Sequence, residues 1–318
     1  MNTYDLIIIG GGPAGVAAGV YASRKQLKTL FLTGDFQGQS SVSEGIENWI
    51  GTVKISGADL SKNLETHLRT YAGDIVDIKT GAWVSAVEST GTKEAPEFKV
   101  TAKFSGGETE ESFSSKAVLV TTGSTRRKLP ALNADIFEHK GLTYCATCDG
   151  PIFSGQDVAV IGGGNAAFES AAQLAAYCNT VTIINRRDVF RADPVTVEKV
   201  CAKENVKVLT NVQVVEVKGN KFVSGLTYKE NGSEETKELP VTGIFVEIGL
   251  IPNTMFLNGV AELDESGKII VNPKTQETSV PGLWAAGDCT DGLYHQNNIA
   301  VGDAVKALED IYMKLATR

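Results

Sequence analysis

The stretch IIIGGGPAG, residues 7–15, decides the fold of the N-terminal part of the chain. The apolar run Asp5–Ile9 predicts a buried strand. A helix is predicted from Pro13 to about Arg24, because proline suits a first helical turn, where its missing N–H is not needed. Strands alternate with helices further along the chain, which predicts an α/β protein with a largely parallel sheet.

The three glycines of this turn have separate tasks. Gly10 permits a tight turn, Gly12 lets the backbone approach a diphosphate, and Gly15 lets the helix pack closely on the strand. A diphosphate would then lie at the positive end of the helix. Read alone, such a turn is weak evidence for a dinucleotide site, since glycine turns often precede helices.

The same pattern returns about 150 residues later. DVAVI (157–161) predicts a strand, and a helix is predicted for residues 168–178. Between them, Gly162, Gly164 and Ala167 repeat the spacing of the first turn, with alanine at the permissive third position. Two copies in full strand–turn–helix context predict two dinucleotide sites rather than two fortuitous turns.

The two predicted sites differ in charge after their second strands. The first copy has Leu-Thr-Gly at 32–34, without the acid that commonly binds a ribose there, whereas the second has Asn185, Arg186 and Arg187, followed by Arg191. Arginines at this position favour the adenosine 2′-phosphate that separates NADP from NAD. Asn185 is expected to offer a hydrogen bond without a charge. The alternative is a solvated basic loop.

A third element, VPGLWAAGD, ends at Gly287 and Asp288. An acid directly after an apolar strand can hydrogen-bond a ribitol hydroxyl or a group beside a diphosphate. The pair on its own is equally typical of an ordinary turn at the end of a strand.

Composition excludes several classes of protein. The net charge is −8 and the pI about 5.1, which argues against nucleic acid or an anionic membrane as a partner. The N-terminus lacks the basic region of an export signal, and the apolar stretch 6–22 is interrupted by glycines and a proline. Five cysteines with one close pair form no disulfide framework, so a reducing, cytoplasmic compartment is expected.

The close pair is Cys145 and Cys148. A structural zinc site needs four ligands, and no second pair has ligand spacing, so no metal is predicted. The scattered Cys178, Cys201 and Cys289 are expected to be packed thiols. The C-x-x-C spacing, in contrast, brings both sulfurs within bonding reach and allows a thiolate to be stabilised at a helix start.

Taken together, these stretches resemble the low-molecular-weight thioredoxin reductase family over essentially the whole chain. A further likeness is to the core of the alkyl hydroperoxide reductase flavoprotein subunit, carried by GIFVEIGLIPNT. The motifs are GGGPAG, ENWIG (47–51), TTG (121–123), CATCDG (145–150), GGGNAA, NRRDVFRA (185–192), GLIPNT (249–254), AAGD (285–288) and YHQ (294–296).

The resemblance implies two Rossmann-like, three-layer domains, with an NADPH domain inserted into an FAD domain. Residues 1–124 and 248–318 would form the FAD domain, and residues 125–247 the NADPH domain with the dithiol. It also implies a homodimer. The implied activity is thioredoxin-disulfide reductase, passing electrons from NADPH through FAD and the dithiol to a thioredoxin-like protein.

The resemblance also implies the binding residues. Those for FAD are Gly10, Gly12, Pro13, Ala14, Gly15, Gln39, Asn48, Thr122, Gly123, Gly287, Asp288, His295, Gln296 and Asn297. Those for NADPH are Gly162, Gly164, Asn165, Ala166, Ala167, Arg186, Arg187 and Arg191.

The dithiol roles follow from the same family. Cys148 would be the sulfur nearest the flavin, and Cys145 the outer thiol that attacks the partner disulfide. Disulfide exchange requires a thiolate and a proton for the leaving sulfur, and Asp149 is the adjacent acid. The alternative for Asp149 is a charge that only stabilises a helix N-terminus.

Two other functions stay open at this stage. One is a disulfide reductase that takes electrons from ferredoxin or a second flavin; the arginines argue against it, whereas Asn185 and Ala166 depart from the family's usual residues. The other is a flavin-bound redox sensor without turnover. The sequence does not choose between a thioredoxin, a glutaredoxin-like protein and a peroxidase as partner.

Overall fold

The computed structural model describes residues 3–43, 45–106, 110–257 and 259–317. Its chain forms two compact units. The first comprises Met1–Glu44, Trp49–Thr125 and Ile251–Arg318, and the second comprises Gly45–Asn48 and Arg126–Leu250. The chain therefore leaves the first unit after residue 125 and returns at residue 251, and the grouping of residues 45–48 with the second unit was not anticipated from the sequence.

The strands, in chain order, are β1 (Thr3–Ile9), β2 (Thr29–Leu32), β3 (Val76–Lys79), β4 (Ala82–Ser89), β5 (Phe98–Phe104), β6 (Glu110–Val120), β7 (Ser124–Arg126), β8 (Leu142–Thr143), β9 (Asp157–Ile161), β10 (Thr180–Ile184), β11 (Val206–Leu209), β12 (Val212–Gly219), β13 (Val223–Glu230), β14 (Thr236–Leu239), β15 (Gly243–Val246), β16 (Leu250–Pro252) and β17 (Leu283–Ala285). Both passages between the units fall within short strands, β7 and β16.

The α-helices are α1 (Pro13–Arg24), α2 (Gly57–Ala72), α3 (Ala146–Asp149), α4 (Asn165–Leu174), α5 (Pro194–Cys201) and α6 (Asn297–Ala316). Helix α4 ends earlier than the sequence predicts. Its last turn tightens, because the amides of Ala176 and Tyr177 donate to carbonyls three residues back rather than four.

The first unit is built on a sheet of order β3-β2-β1-β6-β5-β4, with β17 also paired to β6. Strands β3, β2, β1, β6 and β17 run parallel, whereas β5 and β4 are antiparallel additions. Side chains alternate between the two faces. Leu6 and Ile8 of β1 pack towards helices α1, α2 and α6, and Ile7 and Ile9 pack into the core of the opposite face.

The second unit repeats the plan with the parallel sheet β11-β10-β9-β15-β8. One face packs on helices α4 and α5 through residues such as Val160 and Phe168. The other face is covered by the antiparallel sheet β12-β13-β14, with Val217 and Leu226 in the shared core. The predicted α/β fold with two three-layer, Rossmann-like units is confirmed.

Candidate functional site

The first glycine turn connects β1 to α1 through three consecutive glycines, residues 10–12. Gly10 has φ +116°, and a Cβ on it would lie 2.4 Å from the carbonyl oxygen of Thr121. A Cβ on Gly15 would lie 1.9 Å from the carbonyl oxygen of Gly10, so the helix can only pack here without a side chain. Gly12 differs, because its Cβ would meet nothing within 4 Å. The turn is closed by Gly10 and Gly15 and open at Gly12, where a ligand backbone can approach.

The loop after β2 and the end of β6 lie in the same unit as this turn. The side-chain amide of Gln39 donates to the carbonyl of Ser124 at 2.6 Å, and Asn297 at the start of α6 is hydrogen-bonded to Ser40 at 3.0 Å. Thr122 and Asn253 exchange two hydrogen bonds. Gly123 has φ +63°, and nothing lies within 4 Å of its Cβ position, so the chain carries no side chain into the space beside the end of β6.

The predicted C-terminal residues lie beside the same helix. Gly287 has φ +79°, and its Cβ would lie 3.2 Å from Ala300 of α6 and 3.5 Å from Ala14 of α1. The next residue, Asp288, has a carboxylate oxygen 3.6 Å from Nδ1 of His295. Asp288 therefore follows β17 at the point where the starts of two helices converge.

Lys268 is a member of this group that the sequence did not reveal. Its ammonium lies 3.0 Å from Nε2 of His295. An ammonium only donates hydrogen bonds, so Nε2 must accept and the ring proton is left on Nδ1, facing Asp288. Lysine, histidine and aspartate thus form one row, which orients the imidazole.

These residues fit a flavin dinucleotide in the first unit. The open side of Gly12 and the start of α1 supply the place for a diphosphate. Asp288 supplies a carboxylate acceptor, and Gln296 and Asn297 stand at the start of α6. Asn48 is the exception, because it belongs to the segment that groups with the second unit.

The second glycine turn follows β9 and has the same design. Gly162 has φ +152°, and its Cβ would lie 2.3 Å from the carbonyl oxygen of Glu247. Gly164 is open in the way Gly12 is, with nothing within 4 Å of its Cβ position. Ala167 is fully buried, and its methyl group fits at the third position. A dinucleotide diphosphate again fits at Gly164 and the first residues of α4, Asn165 and Ala166.

The basic loop after β10 presents its arginines to solvent. Arg186, Arg187 and Arg191 are exposed, and their guanidinium groups have neither a hydrogen bond nor an ion pair to any residue that the structure describes. The loop is tied to the glycine turn, since the amide of Arg191 donates to the carbonyl of Gly163 at 2.7 Å. Three uncommitted cations therefore stand beside the second turn, as a 2′-phosphate requires.

The expectation for Asn185 was wrong. Its side chain is buried, and its amide donates to the carbonyls of Arg187 and Val189 at 3.0 Å each. Both amide protons are thereby used, because a side-chain amide carries only two. Asn185 fixes the shape of the arginine loop and offers no donor to a ribose.

The dithiol lies on a short helix of the second unit. Cys145 and Cys148 form a disulfide with their Cα atoms 5.3 Å apart, and both residues are half-buried. Cys145 precedes α3, and its sulfur accepts a hydrogen bond from the amide of Cys148 at 3.2 Å. A thiolate at Cys145 would keep this donor, which stabilises the charged form.

The surroundings attach the dithiol helix to α4, the helix that starts at the second glycine turn. Gln173 of α4 accepts from the hydroxyl of Thr147 at 3.1 Å and donates to the carbonyl of Ala146 at 3.4 Å. Asp149 accepts a hydrogen bond from the hydroxyl of Thr143. The predicted acid is thus half-buried, and it directly follows Cys148 in the same short helix.

Glu247 is a second residue missed from the sequence. It follows β15, and its carboxylate accepts a hydrogen bond from Ser170 of α4 at 2.7 Å. Burial raises the pKa of this carboxyl to about 7, and the negative charge of Glu169 adds to the rise; the bond from Ser170 and the charge of Arg126 oppose it. A titratable acid therefore lies beside the second glycine turn.

Two of the three remaining cysteines are buried, as predicted, and the third is exposed. Cys178 and Cys289 are buried thiols, and burial raises the pKa of each to about 11, so they are unreactive near neutral pH. Cys201 was also expected to be packed but is exposed, because it is the last residue of α5 and lies on the solvent side. Within the ranges described above, no group of three or more metal-ligating side chains could hold a metal ion, and no helix is long and apolar enough to cross a membrane.

Comparison with known proteins assigns the chain to a family. The family model described as pyridine nucleotide-disulphide oxidoreductase matches residues 4–304. The chain belongs to this family. It is therefore a pyridine-nucleotide disulfide oxidoreductase by family, and the family implies the use of a flavin and a pyridine nucleotide.

The relatives carry several names. The F component of alkyl hydroperoxide reductase from Pseudomonas aeruginosa is 39% identical, and an NADH dehydrogenase from Bacillus subtilis is 37% identical; each alignment covers 96% of this chain but 57% of the relative. The chain thus spans little more than half the length of these proteins. Among solved structures, thioredoxin reductase from Giardia duodenalis aligns with a TM-score of 0.90 at 31% identity, covering 99% of this chain and 100% of that one. Thioredoxin reductase from Streptococcus pyogenes gives 0.86 at 30% identity, with 99% of each chain covered.

Proposed function

We propose that this protein is an NADPH-dependent protein-disulfide reductase that passes electrons through FAD and the Cys145–Cys148 pair to a thioredoxin-like protein. The observation that carries the proposal is the position of the disulfide. It lies on the unit that also holds Gly164 and the free arginines, and Gln173 links its helix to α4. A disulfide attached to α4, the helix that starts at the second glycine turn, is suited to redox exchange rather than to stabilising a chain.

We assign one cofactor to each of the two glycine turns. FAD is proposed for the turn at Gly12, with Asp288 as a hydroxyl acceptor, and NADPH for the turn at Gly164, with Arg186 and Arg187 on its 2′-phosphate. A bound flavin can accept a hydride from a nicotinamide and pass two electrons to a disulfide, which side chains cannot do alone. Residues 126–250 would then be the NADPH domain.

The exchange with the partner needs only the chain's own groups. In the reduced enzyme, the thiolate of Cys145 attacks one sulfur of the partner disulfide, and the other partner sulfur leaves and takes a proton from Asp149. Cys148 then attacks Cys145, which restores the disulfide and releases the second partner thiol. The balance is one NADPH, one proton and one partner disulfide converted to NADP⁺ and a partner dithiol.

The partner is proposed from the similar structures, whose names are thioredoxin reductases. We further propose a homodimer in the cytoplasm, on the strength of the family resemblance and of the unpaired cysteines. A peroxidase is the second candidate partner, since one of the relatives is a component of alkyl hydroperoxide reductase. NADH is the second candidate donor, since another relative is named an NADH dehydrogenase.

The proposed function is tested by anaerobic steady-state assays of the purified protein. Oxidised thioredoxin, a glutaredoxin-like protein and an oxidised two-cysteine peroxidase are offered in turn, each with NADPH, NADH or reduced ferredoxin as donor. We expect thioredoxin reduction with NADPH at a turnover number on the order of 10 per second. NADH is expected to support much slower turnover.

Each alternative has its own outcome in this assay. Turnover with the peroxidase and not with thioredoxin would replace the proposed partner. Turnover with reduced ferredoxin and not with NADPH would make the arginine loop an ordinary solvated surface. Reduction of the protein by NADPH without turnover on any partner would favour a redox sensor.

A further inference from the structure

The sheet of the second unit reverses its strand order next to β9. From β9 the chain proceeds to β10 and β11 on one side, whereas β15 lies on the other side of β9. In open α/β sheets, ligands bind outside the carboxyl ends of the strands at such a reversal. The glycine turn follows β9 and Glu247 follows β15, so these two elements flank the reversal.

Glu247 is held firmly against this turn. Its amide donates to the carbonyl of Ile161 at 2.8 Å, which continues the pairing of β15 with β9. Its own carbonyl oxygen is the atom that a Cβ on Gly162 would meet at 2.3 Å. The backbone of Glu247 therefore packs directly against the first glycine of the second turn.

The carboxylate of Glu247 has capacity for a ligand. Oε1 accepts from Ser170, and Oε2 has no hydrogen-bond partner among the residues that the structure describes. Charges act on it from two sides, Arg126 from β7 and Glu169 from α4, and its pKa of about 7 leaves it partly ionised at neutral pH. A titratable carboxylate with one uncommitted oxygen therefore lies at the strand reversal, beside the second glycine turn.

The orientation of a dinucleotide here follows from the arginines. With the adenosine 2′-phosphate at Arg186 and Arg187 after β10, and the diphosphate at Gly164 after β9, the remaining half crosses to the β15 side. That half is the nicotinamide nucleotide, which offers ribose hydroxyls and a carboxamide as hydrogen-bond donors.

We propose, resting on the NADPH site proposed above, that Glu247 binds the nicotinamide half of the coenzyme by accepting a hydrogen bond from its ribose or its carboxamide. A carboxylate accepts such bonds better than the neutral acid does. Ionisation of Glu247 therefore couples the affinity for the nicotinamide half to pH in the neutral range.

Calorimetric titration of three ligands tests this without any catalytic assay. NADP⁺ contains both halves, 2′-phospho-ADP-ribose lacks only the nicotinamide base, and 2′,5′-ADP lacks the whole nicotinamide half. For Glu247→Ala we expect NADP⁺ to bind about tenfold more weakly, and 2′,5′-ADP to bind as in the unmodified protein. If Glu247 contacts the ribose, the affinity for 2′-phospho-ADP-ribose should fall together with that for NADP⁺. If Glu247 contacts the carboxamide, the affinity for 2′-phospho-ADP-ribose should stay unchanged.

A pH series separates binding from a structural role. In the unmodified protein, the affinity for NADP⁺ relative to that for 2′,5′-ADP should rise as Glu247 ionises, around its pKa of about 7. Both ligands share the 2′-phosphate, and the 5′-phosphate monoester of 2′,5′-ADP, which ionises at about pH 6, adds the same background in every variant. The contribution of Glu247 is therefore the difference between the profiles of the unmodified protein and of Glu247→Gln. Glu247→Gln should remove this rise, whereas Glu198→Gln, with the same change of charge at an exposed position of α5, should keep it.

The outcomes distinguish this proposal from the one on which it rests. If the unmodified protein does not bind 2′,5′-ADP, the NADPH site itself is wrong. If it binds 2′,5′-ADP and NADP⁺, but both Glu247 variants bind NADP⁺ with unchanged affinity and an unchanged pH profile, only the role of Glu247 is wrong.

Discussion

Replacing Cys145 or Cys148 with serine is expected to lower the rate of protein-disulfide reduction by roughly a thousandfold or more, because loss of a nucleophile removes the whole covalent route. The disulfide between them cannot form in either variant. The measurement is NADPH-dependent reduction of oxidised thioredoxin by each variant loaded with FAD.

The controls for this prediction are built into the chain. Cys201→Ser removes an exposed thiol and Cys178→Ser a buried one, and both are expected to keep activity within about twofold. Both dithiol variants should still pass electrons from NADPH to ferricyanide, which requires no thiol. Near-normal thioredoxin reduction by either variant would contradict the relay.

The two variants should also differ in trapping a partner. Cys148→Ser leaves Cys145 to form a mixed disulfide that nothing resolves, so a covalent complex with oxidised thioredoxin should accumulate after reduction. Cys145→Ser should accumulate little, if Cys148 is the inner sulfur. Stronger trapping by Cys145→Ser would reverse the two assignments.

Removing the two leading arginines should change the choice of coenzyme by roughly a hundredfold. Charge-assisted hydrogen bonds to a phosphate contribute about 1.5–3 kcal/mol each, so two of them correspond to about a hundredfold or more in affinity. Arg186→Ala with Arg187→Ala is therefore expected to raise KM for NADPH strongly and to leave KM for NADH nearly unchanged. Both values are measured with thioredoxin as the acceptor.

A matched control removes the same charge elsewhere. Lys199→Ala with Lys203→Ala takes two exposed cations from α5 and the turn after it, and is expected to alter neither KM by more than about twofold. Equal use of both coenzymes by the unmodified protein would refute the 2′-phosphate assignment.

Most of the fold could be predicted from local sequence because its signals are local. The glycines at 10 and 15 are required by contacts of 2.4 and 1.9 Å within one strand–turn–helix, and the repeat at 162 has the same geometry. The early end of α4 was missed, since the tightening of its last turn leaves no mark in the apolar pattern.

The residues that were missed in the site depend on contacts between distant segments. Glu247 lies beside Gly162 only because β15 pairs with β9, with Val246 opposite Ile161. Neither segment, taken alone, predicts that these two strands are neighbours in the sheet. Lys268 contacts His295, which also lies far from it along the chain. A charged residue directly after the apolar run GIFV was the one local signal for Glu247.

Asn185 shows a different limit of prediction from sequence, in which the position is right and the role of the side chain is wrong. Its position after β10 was read correctly, but its side chain points inward, to the carbonyls of the loop that it precedes. The position of a residue in the sequence can indicate that it lies near a ligand. It does not indicate whether the hydrogen-bond donors of its side chain are already bonded to other parts of the protein.

The most direct test of the central claim, that electrons from NADPH reach the Cys145–Cys148 disulfide, is differential alkylation followed by mass spectrometry. The FAD-loaded protein is treated anaerobically with excess NADPH and alkylated before and after the addition. The account predicts that Cys145 and Cys148 become alkylated only after NADPH is added, while the labelling of Cys178, Cys201 and Cys289 does not change. A protein whose flavin is reduced by NADPH while Cys145 and Cys148 remain joined would contradict it.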